Sequence, residues 1–147
     1  MQRVTIDLPE RFNFSVELPV HITYINRADH VGNDSIVSIL NEARLHFLQA
    51  TLGETLSFRG MQWINADLAV IYQSEAFYGD LLSVQVAATG FGRYGCDIVY
   101  LITNQTTKKD VAIAKMAMLF YDYDNRCLIP APEDFPTIFT KADTMAG

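Results

Sequence analysis

Polar side chains that could move protons or hold a polar ligand are concentrated between residues 26 and 35. The candidates in this stretch are Asn26, Asp29, His30, Asn33 and Asp34. Carboxylates and imidazoles can exchange a proton in catalysis, whereas an amide can only position a partner by hydrogen bonding. Gly32 lies among them, and a residue without a Cβ atom lets a ligand approach the backbone closely. The stretch is therefore the first candidate for a functional site.

The residues that follow this stretch predict one long helix. From residue 35 to about residue 51, apolar side chains recur at spacings of three and four, as on one face of a helix: Ile36, Leu40, Ala43 and Phe47. Asn33, Asp34 and Ser35 are candidates for the N-cap, because a side-chain oxygen there can accept a first-turn amide hydrogen. Gly53 is a suitable residue to end the helix. The helix is apolar around most of its circumference, so we expect it to be buried.

The remainder of the chain predicts strands. Alternating apolar residues before the helix indicate an extended segment from residue 12 to 25, and four strands are expected after it, at residues 66–73, from residue 82, at 96–103 and at 111–121. The turns between the later strands are too short for parallel crossovers, so the sheet should be antiparallel. One buried helix packs most economically against one face of such a sheet, which makes the fold class α+β.

The composition limits the possible partners. The 147 residues are predicted to form a single domain over residues 1–147, with a core at about 12–132 and a tail at 133–147 that is a short helix or frayed beyond Thr137. A net charge of −6 argues against nucleic acid as a partner. The sequence shows neither a membrane-spanning run nor the apolar region of a signal peptide, so a cytoplasmic protein is expected. Cys96 and Cys127 form no metal motif and are predicted to be reduced, buried thiols; no metal or cofactor is expected.

Two segments resemble the hotdog-fold acyl-CoA thioesterases of the hydroxybenzoyl-CoA thioesterase type. That family has a loop of the form D-x-D-x-x-G-H-V-N-N before its helix and an E-x-A-R run within it. Asp29-His30-Val31-Gly32-Asn33 and Glu42-Ala43-Arg44 lie at the same spacing here, and Tyr72 to Asp80 is similar to the family turn Y-x-x-x-A-x-x-G-D. The resemblance covers roughly residues 12 to 132. It implies a long central helix wrapped by a curved antiparallel sheet of about five strands.

The chain departs from the family at the residue that is usually catalytic. The two aspartates of the family motif fall on Tyr24 and Asn26, and an amide cannot act as a general base or nucleophile. Three interpretations remain open. Asn26 could position the thioester or water while Asp34 or Asp29 does the acid–base work; the loop could be shifted so that Asp29 takes the aspartate role; or the protein could bind an acyl thioester without hydrolysing it.

The resemblance also implies where the remaining functional groups should lie. The amides of Gly32, Asn33 and Asp34, at the N-terminus of the helix, are candidates for an oxyanion hole, although Asp34 could equally be an ordinary helix cap. His30 could polarise the thioester carbonyl or relay a proton. Asn41 and Glu42 are second-rank candidates for substrate contact, with Glu42 alternatively pairing with Arg44 or His46. Arg93 is the best single candidate for the phosphates of coenzyme A.

The predicted function is therefore hydrolysis of an acyl-CoA or acyl-carrier thioester. Hotdog proteins generally assemble as dimers with a site at the interface, so a homodimer or a dimer of dimers is expected. Two alternatives are a non-catalytic acyl-thioester-binding module and, with less support, a hotdog hydratase or dehydratase that uses His30.

Overall fold

The computed structural model describes residues 1–140 and contains one long helix and an antiparallel sheet. The helix, α1, spans Asn33–Leu52. The strands are β1 (Ser15–Pro19), β2 (Trp63–Tyr72), β3 (Leu81–Thr89), β4 (Gly95–Asn104), β5 (Lys109–Asp122) and the two-residue β6 (Cys127–Leu128). Two 3-10 helices, Ile22–Tyr24 and Phe135–Phe139, complete the described chain. The predicted α+β class and the four strands after the helix are confirmed.

The sheet is antiparallel throughout, with strand order β1-β3-β4-β5-β2 and β6 beside the end of β5. The β3–β4 and β4–β5 connections are short turns, as predicted. The connection from β2 to β3 instead carries the chain from one edge of the sheet towards the other. β2 is thus an edge strand, paired only with β5.

One hydrophobic core lies between α1 and the inner face of the sheet. The helix contributes the residues whose spacing predicted burial, and the strands contribute every second side chain, because alternate residues of a strand share a face. Together they enclose Ile36, Leu40, Ala43, Phe47, Val84, Ile98, Tyr100 and Met116. No helix in the described part of the chain is long and apolar enough to cross a membrane.

Several local predictions were wrong. α1 begins at Asn33 rather than Ser35, and its N-cap is Gly32, which makes no side-chain cap bond. The extended segment before the helix is shorter than predicted, because the chain turns into a 3-10 helix at Ile22–Tyr24. Cys127 is exposed, whereas Cys96 is buried as expected. Of the predicted tail, residues 141–147 lie outside the described residues.

Candidate functional site

A tight turn before α1 brings the polar residues of the first candidate stretch together. Ile25 and Val31 form an antiparallel bridge. Within the turn, the Asn26 amide donates to the His30 carbonyl at 2.9 Å and the Asp29 amide donates to the Asn26 carbonyl at 3.1 Å. Asp29 adopts a left-handed backbone with φ 65°, and its side chain is exposed. The turn therefore directs Asp29 to solvent and keeps Asn26 beside the start of the helix.

Asn26 and Asp34 converge on Gly32. A Cβ atom on Gly32 would lie 2.5 Å from Asp34 Oδ1 and 3.7 Å from Asn26 Nδ2. The Asn26 side-chain oxygen accepts the Ala28 amide at 2.9 Å, which leaves its Nδ2 group as the donor facing the helix N-terminus. Of the two carboxylates in this loop, the one beside Gly32 is Asp34. The structure thus gives no support to a shifted loop with Asp29 in the aspartate position.

The helix N-terminus offers two free amides rather than the three predicted. The Gly32 amide is already bonded to the Tyr24 carbonyl at 3.0 Å, so it cannot contribute to an oxyanion hole. The Gly32 carbonyl accepts from Ser35 and Ile36. The amides of Asn33 and Asp34 have no acceptor within residues 1–140. Because first-turn amides and the helix dipole favour negative charge, these two N–H groups can stabilise an anionic oxygen.

A cavity of about 220 Å³ opens between the N-terminal turn of α1 and the end of β2, and it is lined by Asn33 but not by Asp34. Its polar lining comes from two separate parts of the chain: His30 and Asn33, and Tyr72, Gln73, Ser74 and Glu75. The Tyr72 hydroxyl donates to the Asn33 carbonyl at 3.2 Å, and this bond ties the end of β2 to the first turn of the helix.

His30 and Glu75 form a pair at the rim of this cavity. His30 Nδ1 lies 3.0 Å from the Val31 carbonyl oxygen, which can only accept, so Nδ1 carries a proton. Nε2 faces Glu75 Oε1 at 4.0 Å, an ion-pair distance when the imidazole is protonated. The Val31 amide donates to the Ala76 carbonyl at 2.9 Å and holds the two loops together. His30 is three-quarters buried, whereas Glu75 is exposed.

Tyr72 and Glu75 are site residues that were not predicted from the sequence. Both belong to the segment that resembles the family turn, but they were not assigned a role there. They lie far from His30 and Asn33 in the sequence and meet them only because β2 ends beside the helix N-terminus. A local pattern carries no signal for such a contact.

The second-rank candidates lie away from this cavity. Glu42 pairs with His46 at 3.9 Å, one of its two predicted alternatives. Burial and, secondarily, the Glu42 carboxylate raise the pKa of Tyr24. Asn41 lines a different cavity. Arg93 lies over the Tyr94 ring in the β3–β4 turn, at the opposite end of the sheet, so one chain does not bring it to the site.

The described residues contain no group of three or more His, Cys, Asp or Glu side chains placed to hold a metal ion. The polar groups at the helix N-terminus are two backbone amides, one carboxylate, the side-chain amides of Asn26 and Asn33, and one imidazole. Such a set can orient water, accept a proton and stabilise an oxyanion.

This chain belongs to the thioesterase-like superfamily, whose family model matches residues 20–139. The predicted resemblance to the hotdog thioesterases is therefore confirmed, and membership supports thioester hydrolysis as the general reaction. No curated protein matches the chain by sequence.

Solved structures of thioesterases have the same fold. The 1,4-dihydroxy-2-naphthoyl-CoA thioesterase from Synechocystis is 18% identical, with a TM-score of 0.77 over 88% of this chain and 97% of its own. A thioesterase from Thermus thermophilus, solved with coenzyme A and zinc, is 22% identical, with a TM-score of 0.76 over 89% and 94%. A predicted thioesterase from Bacillus stearothermophilus is 16% identical, with a TM-score of 0.76 over 91% and 98%. The hotdog fold is thus confirmed.

Proposed function

We propose that this protein hydrolyses an acyl-CoA or acyl-carrier thioester at the N-terminus of α1. The observation that carries the proposal is the pair of amides at Asn33 and Asp34, which have no acceptor within residues 1–140. Asn33 lines the cavity, and the Asp34 carboxylate lies beside Gly32. Coenzyme A as the thiol is supported by the Synechocystis and Thermus thermophilus proteins, which are named for a CoA thioester or were solved with coenzyme A.

In this proposal Asp34 is the general base. Its carboxylate takes a proton from water while the water oxygen attacks the thioester carbonyl carbon. The carbonyl oxygen becomes an oxyanion, and the Asn33 and Asp34 amides donate hydrogen bonds to it. Collapse of this intermediate breaks the carbon–sulfur bond and expels the thiolate, which recovers the proton from Asp34. Removing one donor of this kind typically lowers kcat by about 100- to 1,000-fold.

Asn26 and His30 are assigned supporting roles. The Asn26 Nδ2 group faces Gly32, where it can donate a hydrogen bond to the attacking water or to the thioester. His30 lines the cavity with Asn33, and its contact with Glu75 can orient the ring. Gly32 leaves room for the Asp34 carboxylate at the start of the helix. Asp29, Asn41, Glu42 and Arg93 are not needed for the chemical step.

The second candidate function is binding of an acyl thioester without hydrolysis. It is favoured by Asn26, whose side-chain oxygen is already used to accept the Ala28 amide and which cannot act as a base. The amides of α1 would then hold the thioester carbonyl in its ground state.

We also propose a homodimer, with assembly into a dimer of dimers as an alternative, in the cytoplasm. The dimer is supported by the edge strand β2, which has no neighbouring strand on one side within residues 1–140 and carries the exposed apolar residues Leu68 and Tyr72. An unpaired strand edge of ten residues favours pairing with a second chain.

Release of free thiol from acyl-CoA substrates tests the proposal. Wild-type protein is incubated with acyl-CoAs that differ in chain length and aromatic character, and binding of the same compounds is measured by calorimetry. Turnover of at least one thioester is expected. Tight binding of CoA thioesters with no thiol release would establish the binding module. The absence of both binding and thiol release would exclude both functions.

A further inference from the structure

A strip of surface between one face of α1 and the inner face of β2 has a cavity at each end, and we call this strip the α1–β2 groove. On α1 its wall is formed by Asn33, Val37, Asn41 and Arg44, whose spacing of three and four residues puts them on one helix face. The opposite wall is the inner face of β2, from Tyr72 to Trp63. The cavity at the helix N-terminus occupies one end of this α1–β2 groove, and a second cavity of about 280 Å³ occupies the other.

The two ends of the α1–β2 groove are polar and its middle is apolar. Between the cavities lie Val37 on the helix and Leu68 and Val70 on β2, and Leu68 is 40% exposed. At the far end, Asn41, Arg44 and Asn65 line the second cavity. Eleven residues of helix separate Asn33 from Arg44, which corresponds to about 16 Å.

Arg44 is the cation at this far end, and it has no carboxylate partner among residues 1–140. Its only hydrogen-bond acceptor there is the Met116 sulfur, 2.7 Å from Nη1. A guanidinium has five donors, and a thioether is a weak acceptor. Arg44 is half-buried between helix and sheet, where an unpaired charge is unfavourable.

The Tyr100 hydroxyl is a second unsatisfied donor in the interior of the fold. This hydroxyl is fully buried and is the one buried side-chain polar atom in residues 1–140 without a hydrogen-bond partner. Tyr100 pairs with Ala114 on β5, two residues from Met116, so the hydroxyl and the guanidinium lie in the same region of the interior. Burial raises the pKa of Tyr100, and the positive charge of Arg44 acts in the opposite direction. A buried polar group left unpaired in a native protein calls for an explanation.

We infer that the far end of the α1–β2 groove binds a carboxylate at the distal end of the acyl group. This inference rests on the proposed function, because it assigns the substrate class of the same site. With the thioester at the Asn33 and Asp34 amides, the acyl chain lies along Val37, Leu68 and Val70. Its terminal carboxylate accepts hydrogen bonds from Arg44, which can bind it with two parallel N–H groups.

Matched pairs of substrates test this assignment. Thiol release is measured for adipoyl-, suberoyl- and sebacoyl-CoA against hexanoyl-, octanoyl- and decanoyl-CoA of equal chain length. At the chain length that spans the groove, wild type is expected to favour the dicarboxylic substrate by about ten- to a hundredfold in kcat/KM, the range for hydrogen bonds to a charged group. In Arg44→Met the ratio is expected to fall to about one.

Two further variants separate recognition from structure. Arg126→Met removes an exposed arginine from the β5–β6 turn and should leave the ratio as in wild type. Tyr100→Phe removes an unpaired buried hydroxyl that lines neither cavity, so it should leave the ratio as in wild type and raise the melting temperature of the free protein. An unchanged ratio in Arg44→Met, or loss of dimers in that variant without a change of ratio, would overturn the inference.

The failures of the two proposals are distinguishable. Equal hydrolysis of both substrate series by wild type would overturn the distal carboxylate and leave the thioesterase intact. If no substrate releases thiol, the thioesterase fails, and calorimetric binding of the same pairs decides the inference. The inference of a distal carboxylate site then stands only if the dicarboxylic substrate of a pair binds more tightly and Arg44→Met removes this difference in affinity.

Discussion

Among individual residues, Gly32 has the clearest steric role. Its φ of −70° is available to every amino acid, so backbone freedom does not explain the glycine. What explains it is space, because a Cβ atom at this position would lie 2.5 Å from Asp34 Oδ1. The absence of a side chain at residue 32 lets Asp34 fold back over the start of the helix, towards Asn26. Gly32 thus helps to position the proposed base.

Gly32→Ala should therefore lower activity without unfolding the protein. The new methyl group displaces the end of a flexible carboxylate, and a misplacement of about 1 Å can cost about a hundredfold in rate. We expect kcat for thiol release to fall by at least about tenfold, with the melting temperature little changed. Gly92→Ala is the matched control, since a Cβ atom there meets nothing within 4 Å. Wild-type kcat in Gly32→Ala would refute this role.

The residues of the candidate site were predictable only where they are close in sequence. Asn26, Gly32 and Asp34 were predicted together and lie together, because one tight turn joins them. The prediction that the Gly32 amide contributes to an oxyanion hole was wrong, because this amide donates to the Tyr24 carbonyl. That contact depends on how the turn closes. Glu75 was missed because only the tertiary fold brings it to His30.

At the level of elements, the second 3-10 helix fixes the C-terminal segment against the core. The Phe135 ring is buried, and its centroid lies 4.8 Å from that of Phe120 and 5.5 Å from that of Phe58. Phe139 stacks on Phe47 of α1 at 5.6 Å. This segment therefore covers the end of the core that is farthest from the candidate site.

Phe135→Ala is expected to destabilise the fold by about 3–5 kcal/mol, the usual cost of removing a buried phenylalanine. Urea unfolding measures the change. Phe77→Ala is the control, because Phe77 is 43% exposed and its loss should cost much less. Equal losses of unfolding free energy in the two variants would contradict a contribution of the C-terminal segment to the core.

α1 and the long strands were predictable because each shows one hydrophobic period over many residues. The predicted ends were less accurate, since a helix cap depends on one or two hydrogen bonds. α1 starts at Asn33 because Gly32 forms the cap through its backbone. The packing of Phe135–Phe139 was not predicted. Its prolines exclude a regular strand but give no indication of which surface the phenylalanines cover.

For the whole molecule, the central question is what covers β2 and the α1–β2 groove. β2 is an edge strand whose inner face exposes Leu68 and Tyr72 beside the proposed acyl site. A second chain paired along β2 would satisfy the free strand edge and close the groove from solvent. The α+β architecture was predictable from the sequence. The position of β2 at the edge of the sheet was not, because it depends on the pairing of β2 with β5.

Leu68→Lys should therefore convert the proposed dimer into a monomer, because a charge on the strand edge opposes burial there. Light scattering is expected to give twice the chain mass for wild type and one chain mass for the variant. Tyr123→Lys, at an exposed turn residue, is the control that should keep the wild-type mass. A monomeric wild-type protein would contradict assembly through β2.

The most direct test of hydrolysis at the helix N-terminus is kcat for thiol release in wild type and Asp34→Asn. The substitution keeps the shape of the side chain and removes its ability to accept a proton. We expect kcat to fall by about 100- to 10,000-fold, the range for loss of a general base, whereas Glu75→Gln should have a much smaller effect. Full activity in Asp34→Asn together with its loss in Glu75→Gln would contradict this assignment and place the base at the His30–Glu75 pair.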